Sequence, residues 1–199
     1  MSGLARWTIW QRVFGLGLLS LGLLGCSLLP ARGASAEERV ALAQRAANVR
    51  FDQLAVGFQP AGSLGFTLRD TTIDEQLYRR EGPSERAVLW RAQFTSRWPT
   101  TEDQLDRWSA QVIGLLADQM GPQVRLAGWE RLDASDIGDE RVAYRYLLAT
   151  PAGELLGEAT VVVFARGAEV GMTGTAAVGT QLGIDAAALA RALLAGPTS

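Results

Sequence analysis

The sequence predicts an α+β fold, an antiparallel sheet of about six strands covered by helices on one face, in the chain order α-β-β-α-β-β-β-β-α. Three observations carry this. Residues 101–120 repeat apolar side chains at helical spacing between a capping signal and a Gly-Pro stop. Residues 87–95 alternate apolar and polar side chains with a period of two. Four further strand-like runs follow Pro122 at short spacing, with turn residues between them.

Taken in order, Ser35 can cap a helix over 36–49 with Glu37 and Glu38 in its first turn. Its apolar face, Val40, Leu42, Ala43 and Ala47, is thin, so it should pack weakly or act as a stalk. "GFTLRDTT" (65–72) reads as the first strand. In the second, Val88, Trp90, Ala92 and Phe94 share one face and Arg91, Gln93 and Thr95 the other, until Trp98-Pro99 stops it. Thr101 with Gln104 forms a capping box, Glu102 and Asp103 suit the positive end of the dipole, and Leu105, Trp108, Val112, Leu115, Leu116 and Met120 recur along the helix. Strands are expected at 123–132, 141–150, 154–165 and 169–176, with Pro151-Ala152-Gly153 and Arg166-Gly167-Ala168 as turns. "ATVVVFA" is the most apolar and should be central. Asp185 caps a last helix that Gly196-Pro197 ends.

Composition excludes many chemistries. All 19 basic residues are Arg, there is no Lys and no His, and Cys26 is the only cysteine. No Ser-His-Asp or Cys-His catalysis, imidazole metal ligand, Schiff base, P-loop lysine, intramolecular disulfide or thiolate zinc site can be built from this set. Residues 26–199 hold 17 Arg against 21 acids, about −4, so no basic face exists to draw nucleic acid.

The N-terminus is a targeting segment. Arg6 and Arg12 precede an uncharged run from Val13 to Leu24, the n-region and h-region of a secretory signal peptide. Leu23-Leu24-Gly25-Cys26 resembles the lipobox of bacterial envelope lipoproteins, in which signal peptidase II cuts before an acylated cysteine. Leu23 and Gly25 match it, whereas Leu24 is bulkier than the Ser or Ala common there. The resemblance implies a thioether-linked diacylglycerol and an N-acyl chain on Cys26, with no other cofactor, since two chains or more are needed for stable anchoring. Two other continuations remain open. Ala34-Ser35-Ala36 fits signal peptidase I, which would release a soluble chain starting at Glu37. Uncut, Val13 to Ala31 could span a bilayer. All three place the folded part outside the cytoplasm. The lipobox divides the chain into a signal peptide (1–25), a lipidated tether (26–35), a helix and linker (36–64) and a single α+β domain (65–199).

Candidate site residues are few. "DASDIGDE" gathers Asp133, Asp136, Asp139 and Glu140 on a Gly-containing loop, oxygen donors of the kind Ca²⁺ takes, though not at EF-hand spacing. A solvated inter-strand loop is the simpler reading and explains them without an ion. A glycosidase pair would need two acids facing across a cleft. Trp98 and Trp129, near element ends, are the candidate binding surface, while Trp90 and Trp108 fall on core faces. Gly171 to Gly183 reads as a glycine-rich loop before the last helix, matching no phosphate motif. Arg79, Arg80 and Arg86 with Glu81 and Glu85 read as an exposed mixed-charge loop.

"IGDERVAYRY" followed by "GEATVVVFARGAEV" resembles a pattern of small exported bacterial lipoproteins, in which a G-D-[ED] loop leads into one strand and a Val-rich strand turns through R-G into the next. It covers about forty residues and brings no active residues with it. The layout is also similar to the PsbP-like fold of photosystem-associated lumenal proteins. The expected function is an envelope-membrane lipoprotein facing the periplasm or exterior, with a non-catalytic domain for an envelope protein or small apolar ligand and no nucleic acid. The rival expectation is an exported carboxylate- or calcium-dependent enzyme.

Overall fold

The computed structural model describes residues 51–194. Cys26, the Leu23 to Gly25 box and the helix expected over 36–49 lie outside them. After a helical turn at 51–54 come β1 (Gln59–Pro60), β2 (Asp74–Glu81), β3 (Arg86–Thr95), helix α1 (Glu102–Met120), β4 (Arg125–Arg131), β5 (Glu140–Ala149), β6 (Leu155–Arg166), β7 (Glu169–Val178) and helix α2 (Ala186–Leu194). The strands form one antiparallel sheet in the order β1-β2-β3-β7-β6-β5-β4. Chain and spatial order coincide from β4 to β7, as turn chemistry requires: Gly167 has φ +59 at the first position of the two-residue β6–β7 turn, and Gly153 has φ +88 beside Thr150.

The sheet has seven strands, not six, and its first long strand differs from expectation. Residues 66–73 make only an isolated Leu68–Thr71 bridge. Gly62 and Gly65 (φ +83 and +84) and Asp70 (φ +56) bend this segment, while Leu64 and Phe66 drop into the core. The strand is instead "DEQLYRRE", charged enough to pass for a loop and fixed by its full register against β3, with Leu77 opposite Trp90. Arg79, Arg80 and Glu81 therefore belong to β2 and Arg86 to β3, not to an exposed loop. Arg86 Nη1 donates to the Met120 carbonyl at the α1 C-terminus (3.1 Å) and Arg79 Nη2 to Gln119 Oε1, supplying the cation that the last helical turn lacks.

Helices cover both faces of the sheet, not one. α1 begins where expected, with Gln104 Oε1 accepting from the Thr101 N–H (3.0 Å), and it stops at Gly121. It crosses one face diagonally, burying Leu105, Val112, Ile113 and Leu116 against Val88, Trp90, Val161, Val163 and Met172. Each such aliphatic side chain contributes about 1.5–3 kcal/mol. The opposite face is closed by α2 and the 51–54 turn, with Ala186, Ala190 and Leu193 on Val162 and Phe164, and Phe51 and Leu189 on Leu89. The polar side of β3 is thus interior: Arg91 is fully buried, its Nε donating to Gln76 Oε1 (2.9 Å) and its Nη1 facing Asp74 (3.4 Å).

β6 is interior, with Ala159 to Ala165 all buried, but the middle strand is β7. The strand expected at 169–176 runs on to Val178, so the first half of the Gly171–Gly183 stretch lies in it and not in a loop, and its glycines make room rather than flexibility. A Cβ on Gly171 would stand 2.2 Å from the Phe164 ring, and one on Gly174 2.6 Å from Leu116 Cδ1. α2 is seated by threonines of this face. Ala186 N–H donates to Thr160 Oγ1 (3.1 Å), Thr173 Oγ1 donates to the Ala186 carbonyl (2.6 Å), and Thr160 and Thr175 share a hydrogen bond of 2.7 Å. Asp185 Oδ1 caps α2 by accepting from Ala188 N–H (2.7 Å).

Candidate functional site

The polar and exposed aromatic residues of interest gather at one corner, where α1 begins and β4 and β5 form the sheet edge. β5 reads Val142-Ala-Tyr-Arg-Tyr-Leu-Leu148, so its period of two puts Tyr144 and Tyr146 on the α1 face. Trp129 pairs with Tyr146 and Arg131 with Tyr144 across the β4–β5 ladder. The Trp129 ring meets Tyr144 edge-on at 5.6 Å, and Tyr144 lies 6.2 Å from Tyr146. From α1, Asp106 Oδ1 accepts the Tyr144 hydroxyl proton (2.7 Å), and Glu102 pairs with Arg131. Burial together with the Asp106 hydrogen bond and charge pushes the Tyr144 phenol up to about 12. Burial, with a smaller contribution from Asp106, also raises Tyr146.

A depression of about 270 Å³ opens beside this aromatic group, lined by Glu102, Arg131, Asp133, Ser135, Glu140 and Arg141 among others. The acidic loop reaches it in dispersed form. Ala134 and Ile137 are buried under α2, and the turn between them closes through Ile137 N–H to the Ala134 carbonyl (2.9 Å), so the carboxylates splay outward. Asp136 turns away to grip Arg191 of α2 through two bonds (2.6 and 3.2 Å), and that guanidinium holds its carboxyl below the ordinary range. Asp133 Oδ1 accepts from Ser135 N–H (3.0 Å), a local Asx turn. Asp139 and Glu140 face the depression. Among the described residues, no three His, Cys, Asp or Glu side chains converge as a metal ion would need.

Trp129 is 67% and Trp98 76% exposed. Trp98 belongs to the 96–101 connection that carries the chain to the start of α1, and it is fixed through Ser96 Oγ, which donates to the Trp98 carbonyl (2.7 Å). Trp90 and Trp108 pack in the core as their faces require. The residues not singled out from sequence are Tyr144, Tyr146, Asp106 and Arg131. The Tyr-Arg-Tyr alternation carried the signal for the two tyrosines, whereas Asp106 and Arg131 meet them only through the α1 crossing.

Among the described residues no helix is long and apolar enough to cross a membrane. Compared with protein-family models and with curated proteins, the chain matches none.

Proposed function

We propose that this chain is an envelope-anchored lipoprotein, acylated at Cys26, whose domain binds a protein or a small apolar ligand without catalysis. The supporting observation is the position of the only cysteine, behind Leu23-Leu24-Gly25 at the end of an uncharged run. That thiol has no second cysteine, histidine or lysine to work with, so acylation is the specific use left to it. Trp129, with Tyr144 and Tyr146 behind it, offers an exposed apolar surface, and Trp98 is a second exposed indole on the connection that leads into α1. Intact mass of the membrane fraction tests the anchor. The expected result is a chain beginning at Cys26 and carrying a diacylglycerol and an N-acyl group, both lost in Cys26→Ala. An unmodified chain beginning at Glu37 refutes it.

The rival, a carboxylate- or calcium-dependent enzyme, is tested by thermal melting with and without calcium. The melting temperature should not move, because Asp136 is committed to Arg191 and Asp133 to its own turn. A calcium-dependent rise, abolished by Asp139→Asn with Glu140→Gln, would instead establish the ion site.

A further inference from the structure

The two edges of the sheet are not alike. β1 is two residues long and contains Pro60, which blunts it against further pairing. β4 is seven residues long, and among the described residues no strand lies on its outer side. Of the six exposed large apolar side chains among the described residues, three stand at this edge: Trp129, Leu126 (43%) and Leu147 (43%). Such clustering marks a contact surface rather than scatter.

The pattern of β4 is complementary to itself. The bulge between Leu126 and Gly128 takes Ala127 out of the alternation, so Leu126 and Trp129 share the α1 face while Gly128 and Glu130 share the other with Leu147 and Arg145. With a two-fold axis through Gly128, an antiparallel second copy of β4 sets Gly128 against Gly128, Leu126 against Trp129 twice, and Arg125 against Glu130 twice. Leu147 leans over Gly128, its Cδ1 3.8 Å from where a Cβ would stand, which brings the leucines of both copies toward the axis. Moving the axis to Trp129 would instead set Leu126 against Arg131 and leave Arg125 without its acid. One register therefore satisfies both the apolar and the charged pairs.

From this complementarity we infer that the β4 edge is a self-association surface, on which a second copy of this chain pairs strand to strand about an axis through Gly128. The inference names a partner for the binding domain proposed above but needs no lipid, so its failure would leave the lipoprotein reading standing. The test uses the full-length Cys26→Ala chain in detergent solution, in which the native thiol is gone, with Gly128→Cys added. Directly opposed residues of antiparallel strands lie within disulfide reach, with Cα atoms about 4.5–5.5 Å apart. Mild oxidation should yield a covalent dimer at position 128. Leu155→Cys, 62% exposed but two strands inward, should yield none. Adding Arg125→Glu, which opposes two acids twice per dimer, should cut the yield at least ~5-fold, and adding Glu130→Arg as well should restore it. Equal cross-linking at 128 and 155, or a yield indifferent to Arg125→Glu, overturns the proposal. Thermal melting checks that each variant is folded. Should Gly128→Cys fail to fold, sedimentation of the Cys26→Ala chain decides, and a monomer at every concentration overturns the proposal equally.

Discussion

Trp90→Ala should destabilise the domain by about 3–5 kcal/mol, read as a fall in the urea midpoint at unchanged slope. The indole is fully buried under α1, edge-on to Phe66 (6.1 Å), and its Nε1 donates to Glu75 Oε1 (3.2 Å). The same Glu75 oxygen accepts from the Leu64 and Gly65 N–H groups, so the indole helps to fix the loop that drops Leu64 and Phe66 into the core. Truncation opens a cavity beside Gly174, which stands opposite Trp90 and has no side chain of its own to help fill it. Against a typical total of about 5–15 kcal/mol, the variant is close to unfolded. Trp98→Ala, on an exposed side chain, should change stability by no more than ~0.5 kcal/mol. Comparable losses in both would mean that the core is not centred where Trp90 stands.

Gly179→Ala should cost about 2–4 kcal/mol, the sum of a left-handed conformation forced on an L-residue and of backbone displacement. Gly179 follows β7 with φ +71, and its Cβ would stand 2.1 Å from the Ser84 carbonyl oxygen in the β2–β3 turn. Unlike a flexible side-chain tip, that oxygen belongs to a hairpin closed by Gly82 N–H to the Glu85 carbonyl (2.9 Å), so relief requires the turn itself to move. Gly183→Ala is the matched comparison. A Cβ there meets nothing within 4 Å, and the change should be neutral or stabilising by up to ~1 kcal/mol. Chemical denaturation of the two variants side by side separates a conformational requirement from general intolerance of alanine in this segment.

What could be read from sequence is what local chemistry specifies. α1 has its cap, its period and its stop within twenty residues, and the β4 to β7 meander follows from its turns. β2 was not legible because only Leu77 on it is buried; its existence depends on pairing with β3, and its Arg79 is used to reach Gln119 in the last turn of α1. The second covered face was hidden by Arg91, Thr160, Thr173 and Thr175, polar residues that are interior because each finds a partner there. The unbroken apolar run of β6 did carry that information, since alternation disappears when both faces of a strand are buried. At the candidate site, exposure of Trp129 and Trp98 could be read from their place near element ends. The scattering of the acidic carboxylates could not, because Ala134 and Ile137, not the acids, decide how the loop sits.

The middle of the sheet is closed by strands remote in the chain, with Thr95 opposite Glu169 and Arg86 opposite Val178. Contacts of such long sequence separation form slowly, because loop-closure entropy must be met before they reward the chain. β3 emerges from the ribosome well before β7 and finds its inner neighbour only when β7 has been made. For a chain exported as proposed above, this delay is useful. The domain stays threadable while its leading end is engaged by a translocation channel, and it acquires its fold only once β7 has reached the far side.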